Sequence, residues 1–185
     1  MKQNNNQKQS DCVFKREDAY QTLGMINAWI SNVDTKVSFA LTLAGVLIGI
    51  ILGEGFPNAF QRVTEVSRIA ELGGTEIMEI IWVSLLYLCS FLSIISFIWA
   101  ITARVKNPNN VSSIFFFGSI GSMDLAKYKE NINQTTEERI VEDLEEQIHT
   151  NSRICSQKIK WYNRGTYFLI SAIMIWFICT IFSLI

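Results

Sequence analysis

The sequence predicts an all-α integral membrane protein: three transmembrane helices, with a cytoplasmic helical bundle formed by the N-terminal helix and a long juxtamembrane helix. Three observations lead there. Apolar runs at 37–53, 79–103 and 165–185 approach or exceed the roughly 20 residues needed to cross a bilayer, and none has an ionisable group in its middle. The chain is 49% hydrophobic and 18% charged, with a mean hydropathy of +0.23, too apolar for a soluble domain and too polar for spans alone. Only two prolines occur in 185 residues, which leaves room for long uninterrupted helices.

Residues 1–12 are rich in Asn, Gln and Lys. No apolar core precedes a small-residue cleavage site, so this stretch reads as a disordered tail rather than a signal peptide. From 13 to 36, Tyr20, Leu23, Ile26, Ile30 and Val33 recur at helical spacing and predict a cytoplasmic helix leading into the membrane. Asp34 and Lys36 stand at the mouth of the first span. They admit two readings. In one, Lys36 snorkels to the headgroups and Asp34 pairs with it or with another helix. In the other, the two form a fixed polar contact that couples the cytoplasmic helices to the span.

Within the first span Gly45, Gly49 and Gly53 repeat every four residues, and Ser38 and Thr42 continue that face. Small residues at this spacing let helix backbones approach closely in lipid. The second span has a stripe of Cys89, Ser93, Ser96, Ala100 and Ala103, the 4-3-4-3 spacing of a left-handed seam. Gly45, Gly49, Gly53, Ser93 and Ser96 are therefore candidate helix-packing residues, within one copy or between copies of a homo-oligomer.

Orientation follows from Lys and Arg near the spans. The N-terminal segment and residues 104–164 are rich in both, whereas the loop 54–78 has only Arg62 and Arg68. The N-terminus and 104–164 are expected in the cytoplasm, and 54–78 on the other side.

In 104–164, Pro108 breaks the helix. The apolar Ile114-Phe-Phe-Phe-Gly118 is expected as a β-like segment or a loop buried against the cytoplasmic helices or in the lipid interface, with Gly118 and Gly121 supplying backbone freedom. Ser122 is expected to cap a short helix to about residue 131, with Asp124 near its positive end. Thr135-Thr-Glu-Glu138 matches a capping box, Thr135 capping and Glu138 reaching back. From about 137 the stripe Val141, Leu144, Ile148, Asn151, Cys155, Ile159 and Tyr162 predicts a long helix that leads into the third span. At 1.5 Å per residue it would be roughly 70 Å long.

Little in the chain suggests catalysis. His149 is the sole histidine and lies on a charged helix face; the acidic run Glu137, Glu138, Glu142, Asp143, Glu145 and Glu146 reads as a solvated face. Cys12, Cys89, Cys155 and Cys179 form no CxxC or Cys/His cluster, so no catalytic or metal residues are assigned. The net charge of −1 gives no reason to expect a nucleic-acid partner. For an anionic nucleotide, the candidate residues are Arg153, Lys158, Lys160, Trp161 and Arg164, which combine positive charge with an aromatic face. The same residue types just inside a span also serve as ordinary membrane anchors.

The segments WISNVDTKVSFALTLAGVLIG (29–49), SIFFFGSI (113–120), Tyr128 and EDLEEQIHTNSRICSQKIKW (142–161), in that order, resemble the transmembrane effectors of bacterial Pycsar anti-phage defence. The resemblance implies a non-enzymatic effector in the bacterial inner membrane. It would answer a cyclic pyrimidine mononucleotide, cCMP or cUMP, made by a phage-activated pyrimidine nucleotide cyclase. It would then impair the membrane and end the infection abortively. An alternative from another class is a constitutive small membrane adaptor that recruits a partner through its cytoplasmic helices.

Overall fold

The computed structural model describes residues 14–53, 60–61, 73–103 and 113–184. The tail at 1–12, the break at Pro108 and most of the 54–78 loop lie outside them. The described residues fold as helices without strands: α1 (Arg16–Gly53), α2 (Gly74–Thr102), α3 (Phe117–Ser122), α4 (Leu125–Asn133) and α5 (Glu137–Ile181). The helices α1, α2 and α5 are long and apolar enough to cross a membrane. The chain divides into two compact units, one of residues 1–28 and 105–153, the other of 29–104 and 154–185.

In the first unit, α1 begins with a carboxylate cap from its own first turn. The Lys15 amide donates to Asp18 Oδ2 at 2.9 Å, so a carboxylate satisfies one of the orphan amides of the first turn. Ala19 and Leu144 are buried, Asn151 Nδ2 donates to Asn27 Oδ1 at 2.9 Å, and Tyr20 meets Phe115 edge-on at 5.8 Å. Tyr20, the first residue of the helical repeat, stays 44% exposed, and Ala19 beside it takes the interior position.

The apolar Phe segment is neither a strand nor a loop throughout. Ser113 and Asp143 tie its first residues into a turn, and α3 starts at Phe117. Asp143 Oδ2 accepts from Ser113 Oγ at 3.0 Å and from the Ile114 amide at 2.9 Å; Ser113 Oγ in turn accepts from the amides of Phe115 and Phe116. The backbone donors of residues 114–116 thus all have partners, and a sheet ladder is unnecessary. Gly118 serves space, not backbone freedom: a Cβ there would meet the Phe116 ring at 2.6 Å, and the residue is helical.

Two caps sit elsewhere than expected. Ser122 ends α3, its hydroxyl donating to the Ser119 carbonyl, and Asp124 is the cap of α4, accepting from the Lys127 amide at 2.8 Å. Ser and Asp cap about equally well, but the Ser122 hydroxyl is already spent on the end of α3, which leaves the start of α4 to Asp124. The cap of α5 is Thr136, which accepts from the Arg139 amide, while the Thr135 hydroxyl is spent on the Asn131 carbonyl that closes α4.

In the second unit, the core joins Val33, Val37, Ala44, Leu47 and Ile51 of α1, Leu86, Cys89, Phe97 and Ala100 of α2, and Leu169, Ala172, Ile175 and Cys179 of α5. The α2 stripe is buried at Cys89, Ser93, Ser96 and Ala100. Packing within the chain overturns the intramolecular use of the α1 glycines. Gly45, Gly49 and Gly53 are exposed, and a Cβ on any of them meets nothing within 4 Å. The contact face of α1 uses larger side chains, a quarter-turn and more from the glycines.

At its far end α5 closes with a Schellman turn. The Leu184 amide donates to the Cys179 carbonyl at 2.8 Å and the Ser183 amide to the Thr180 carbonyl at 3.2 Å, with Ser183 left-handed at φ 52°. Leu184 packs back onto the core.

Candidate functional site at the mouth of the spans

In the second unit, the polar chemistry concentrates where three helices meet. Asp34 lies on α1, Lys158 on α5, and Ile101 in the last turn of α2. Lys158 is 6% exposed, and its ammonium donates to Asp34 Oδ1 at 2.6 Å and to the Ile101 carbonyl at 3.1 Å. The geometry has a simple cause. The last carbonyls of a helix have no intrahelical donors and carry the negative end of its dipole, so a cation is favoured there. A buried ammonium also needs an anion, and Asp34 supplies it. One side chain of α5 therefore holds both other spans.

A second contact lies two turns further along α5. At Gly165 a Cβ would stand 2.6 Å from the Phe97 ring, so only glycine lets α5 approach α2 this closely. Ser93 Oγ donates to the Gly165 carbonyl at 3.1 Å, and Phe97 leans on Tyr162 with ring centroids 6.3 Å apart. Gly165 stood out in the sequence only as the first glycine after a long run without one. Phe97 and the Ile101 carbonyl carried no sequence signal, because their roles depend on a partner more than sixty residues away in one case and on a backbone atom in the other.

The predicted site residues scatter into distinct environments. Asp34 and Lys36, two positions apart, do not pair: Asp34 turns to Lys158, and Lys36 is exposed with no ionic partner among the described residues. Lys158, a candidate for phosphate, is already occupied; an anion reaches it only by displacing Asp34. Lys160 is exposed. Arg164 sits over the Trp161 ring, 4.6 Å from its centroid, and Trp161 also meets Trp99 edge-on at 4.5 Å. Ser96 Oγ bonds its own helix at the Leu92 carbonyl. Arg153 belongs to the first unit and is exposed.

Cys155, one turn before Lys158, is buried, and desolvation pushes its thiol above the ordinary range, against the pull of the Lys158 charge. It is an inert packing residue rather than a nucleophile. His149 is exposed, as are Glu137, Glu138, Glu142 and Glu145. Asp143 departs from the solvated acidic face through its bonds to the Ser113 turn. No group of His, Cys, Asp or Glu among the described residues is arranged to hold a metal.

Comparison with known proteins agrees with this build. A family model described as a Pycsar effector protein domain matches residues 18–185. The Pycsar effector protein GmPycTM of Gulbenkiania mobilis is 30% identical over 176 residues, covering 88% of this chain and 90% of the relative. No solved structure matches. With the match running from the first turn of α1 through all three membrane-long helices, the chain belongs to the Pycsar effector family.

Proposed function

We propose that this membrane protein is the executing arm of an anti-phage response: it answers cCMP or cUMP, made by a partner pyrimidine nucleotide cyclase, by impairing the bacterial inner membrane, so that infection ends abortively. The observation that carries the reading is the family match over 18–185 on a chain with three helices fit to span a bilayer. The proposed topology puts the N-terminus and 104–164 in the cytoplasm, where the nucleotide is made.

In this reading the Asp34–Lys158–Ile101 contact is the coupling element. It ties the three spans at one end, and changing it releases them together. The nucleotide phosphate is met by Lys160 and Arg164, with the Trp161 ring beside them for the pyrimidine. Copies assemble through the outward face of α1, where Gly45, Gly49 and Gly53 are free to accept a neighbouring backbone.

Dye release from liposomes carrying the purified protein tests this. Release with cCMP or cUMP, but not with cAMP or cGMP, is the expected result. It should be lost in Lys160→Ala and in Gly49→Ile. Silence toward both pyrimidine nucleotides, from protein shown to be inserted, refutes the reading and favours the adaptor alternative.

A further inference from the structure

A cleft of 530 Å³ opens in the second unit between the first turns of α2 and the end of α5. Its size falls among the pockets that hold small molecules, roughly 300–1,000 Å³. Met78, Trp82, Ile178, Phe182 and Leu184 make its walls apolar, and among the described residues Glu79 is the one charged side chain that lines it. That carboxylate is partly buried and has no ion pair or hydrogen bond among the described residues. Its charge is not needed to start the helix, because Glu76 already accepts from the Gly73 amide at 3.0 Å. A carboxylate set in apolar surroundings calls for a cation, and no Lys or Arg lines the cleft among the described residues.

We infer that this cleft holds a phospholipid with a primary ammonium headgroup, of the phosphatidylethanolamine type. The primary ammonium donates to the Glu79 carboxylate, while the acyl chain runs along Met78 and Ile178. Charge complementarity selects this occupant: an anionic headgroup is repelled by Glu79, and a choline headgroup has no N–H to donate. The place suits it, since the cleft lies at the ends of two membrane-long helices, where headgroups are found. The Schellman turn holds Leu184 as a fixed part of the wall.

The test is native mass spectrometry of the full chain, delipidated in detergent and offered phosphatidylethanolamine, phosphatidylglycerol or phosphatidylcholine at equal concentration. The wild-type protein should retain phosphatidylethanolamine about fivefold over either of the others, the preference expected of one partly screened charge-assisted hydrogen bond. Glu79→Gln, with helix content checked by circular dichroism, should level the three. If that variant does not fold, Glu79→Ala is read instead, and should likewise level the three. Equal retention of all three lipids by wild type overturns the inference. So does a preference unchanged in the folded variant.

Discussion

Breaking the Lys158 contact from its two ends should have unequal costs. Asp34→Asn leaves the ammonium of a residue 6% exposed with the Ile101 carbonyl and a neutral amide. Stranding a fully buried charge costs roughly 3–5 kcal/mol. The Asp34 side chain is itself 43% exposed, so water screens part of the pair, and about 2 kcal/mol, or about thirtyfold, is the expected loss. Lys158→Met strands nothing comparable. Asp34 turns to water, methionine refills the apolar path of the lysine stem, and the expected loss is about 1 kcal/mol. The double variant should match Lys158→Met within about 0.5 kcal/mol, because once the ammonium is gone the aspartate has no partner to lose. Unfolding in mixed micelles of rising SDS fraction, followed by far-UV circular dichroism, measures all four proteins. Equal single-variant losses that simply add in the double variant would refute the buried-cation argument. Under the proposed function, Asp34→Asn should also abolish cyclase-dependent toxicity while the protein still inserts.

Gly165→Ala drives a methyl toward the Phe97 ring, and overpacking of this kind costs about 1–3 kcal/mol, partly offset by better helix propensity; Phe97→Leu in the same chain should restore the melting temperature. Asp143→Ala unpairs both the Ser113 hydroxyl and the Ile114 amide, and a loss of about 2 kcal/mol should appear as faster hydrogen exchange at 114–116, with Asp143→Asn intermediate. Glu138 is held below its ordinary 4.5 by backbone hydrogen bonding at the start of α5 and by the Thr136 hydroxyl. Its ionised form therefore favours the fold at full strength above pH 4.5 and progressively less as the pH falls through the lowered value. The small acid destabilisation of the α5 start, read by hydrogen exchange, should flatten in Glu138→Gln.

Much of the architecture is local in origin and was therefore legible from the sequence. Span length is a matter of consecutive apolar residues, and the α5 helix shows in the recurrence of Leu144, Ile148, Cys155 and Ile159, so all three membrane-long helices stand close to where they were expected. Caps were legible only to within a residue or two. Thr135 and Thr136, or Ser122 and Asp124, are equivalent until the neighbouring helix end claims one hydroxyl. Only tertiary structure decided the partners. A charge two residues away along α1 points off at an angle, so Lys36 loses Asp34 to a lysine more than a hundred residues on, which burial and the end of α2 hold in place. The glycines of α1 show the same limit from the other side: their spacing makes close approach available, but Val37, Ala44 and Leu47 make the contact within the chain, because burying more apolar surface and dispersion contact in that interface favours the larger residues.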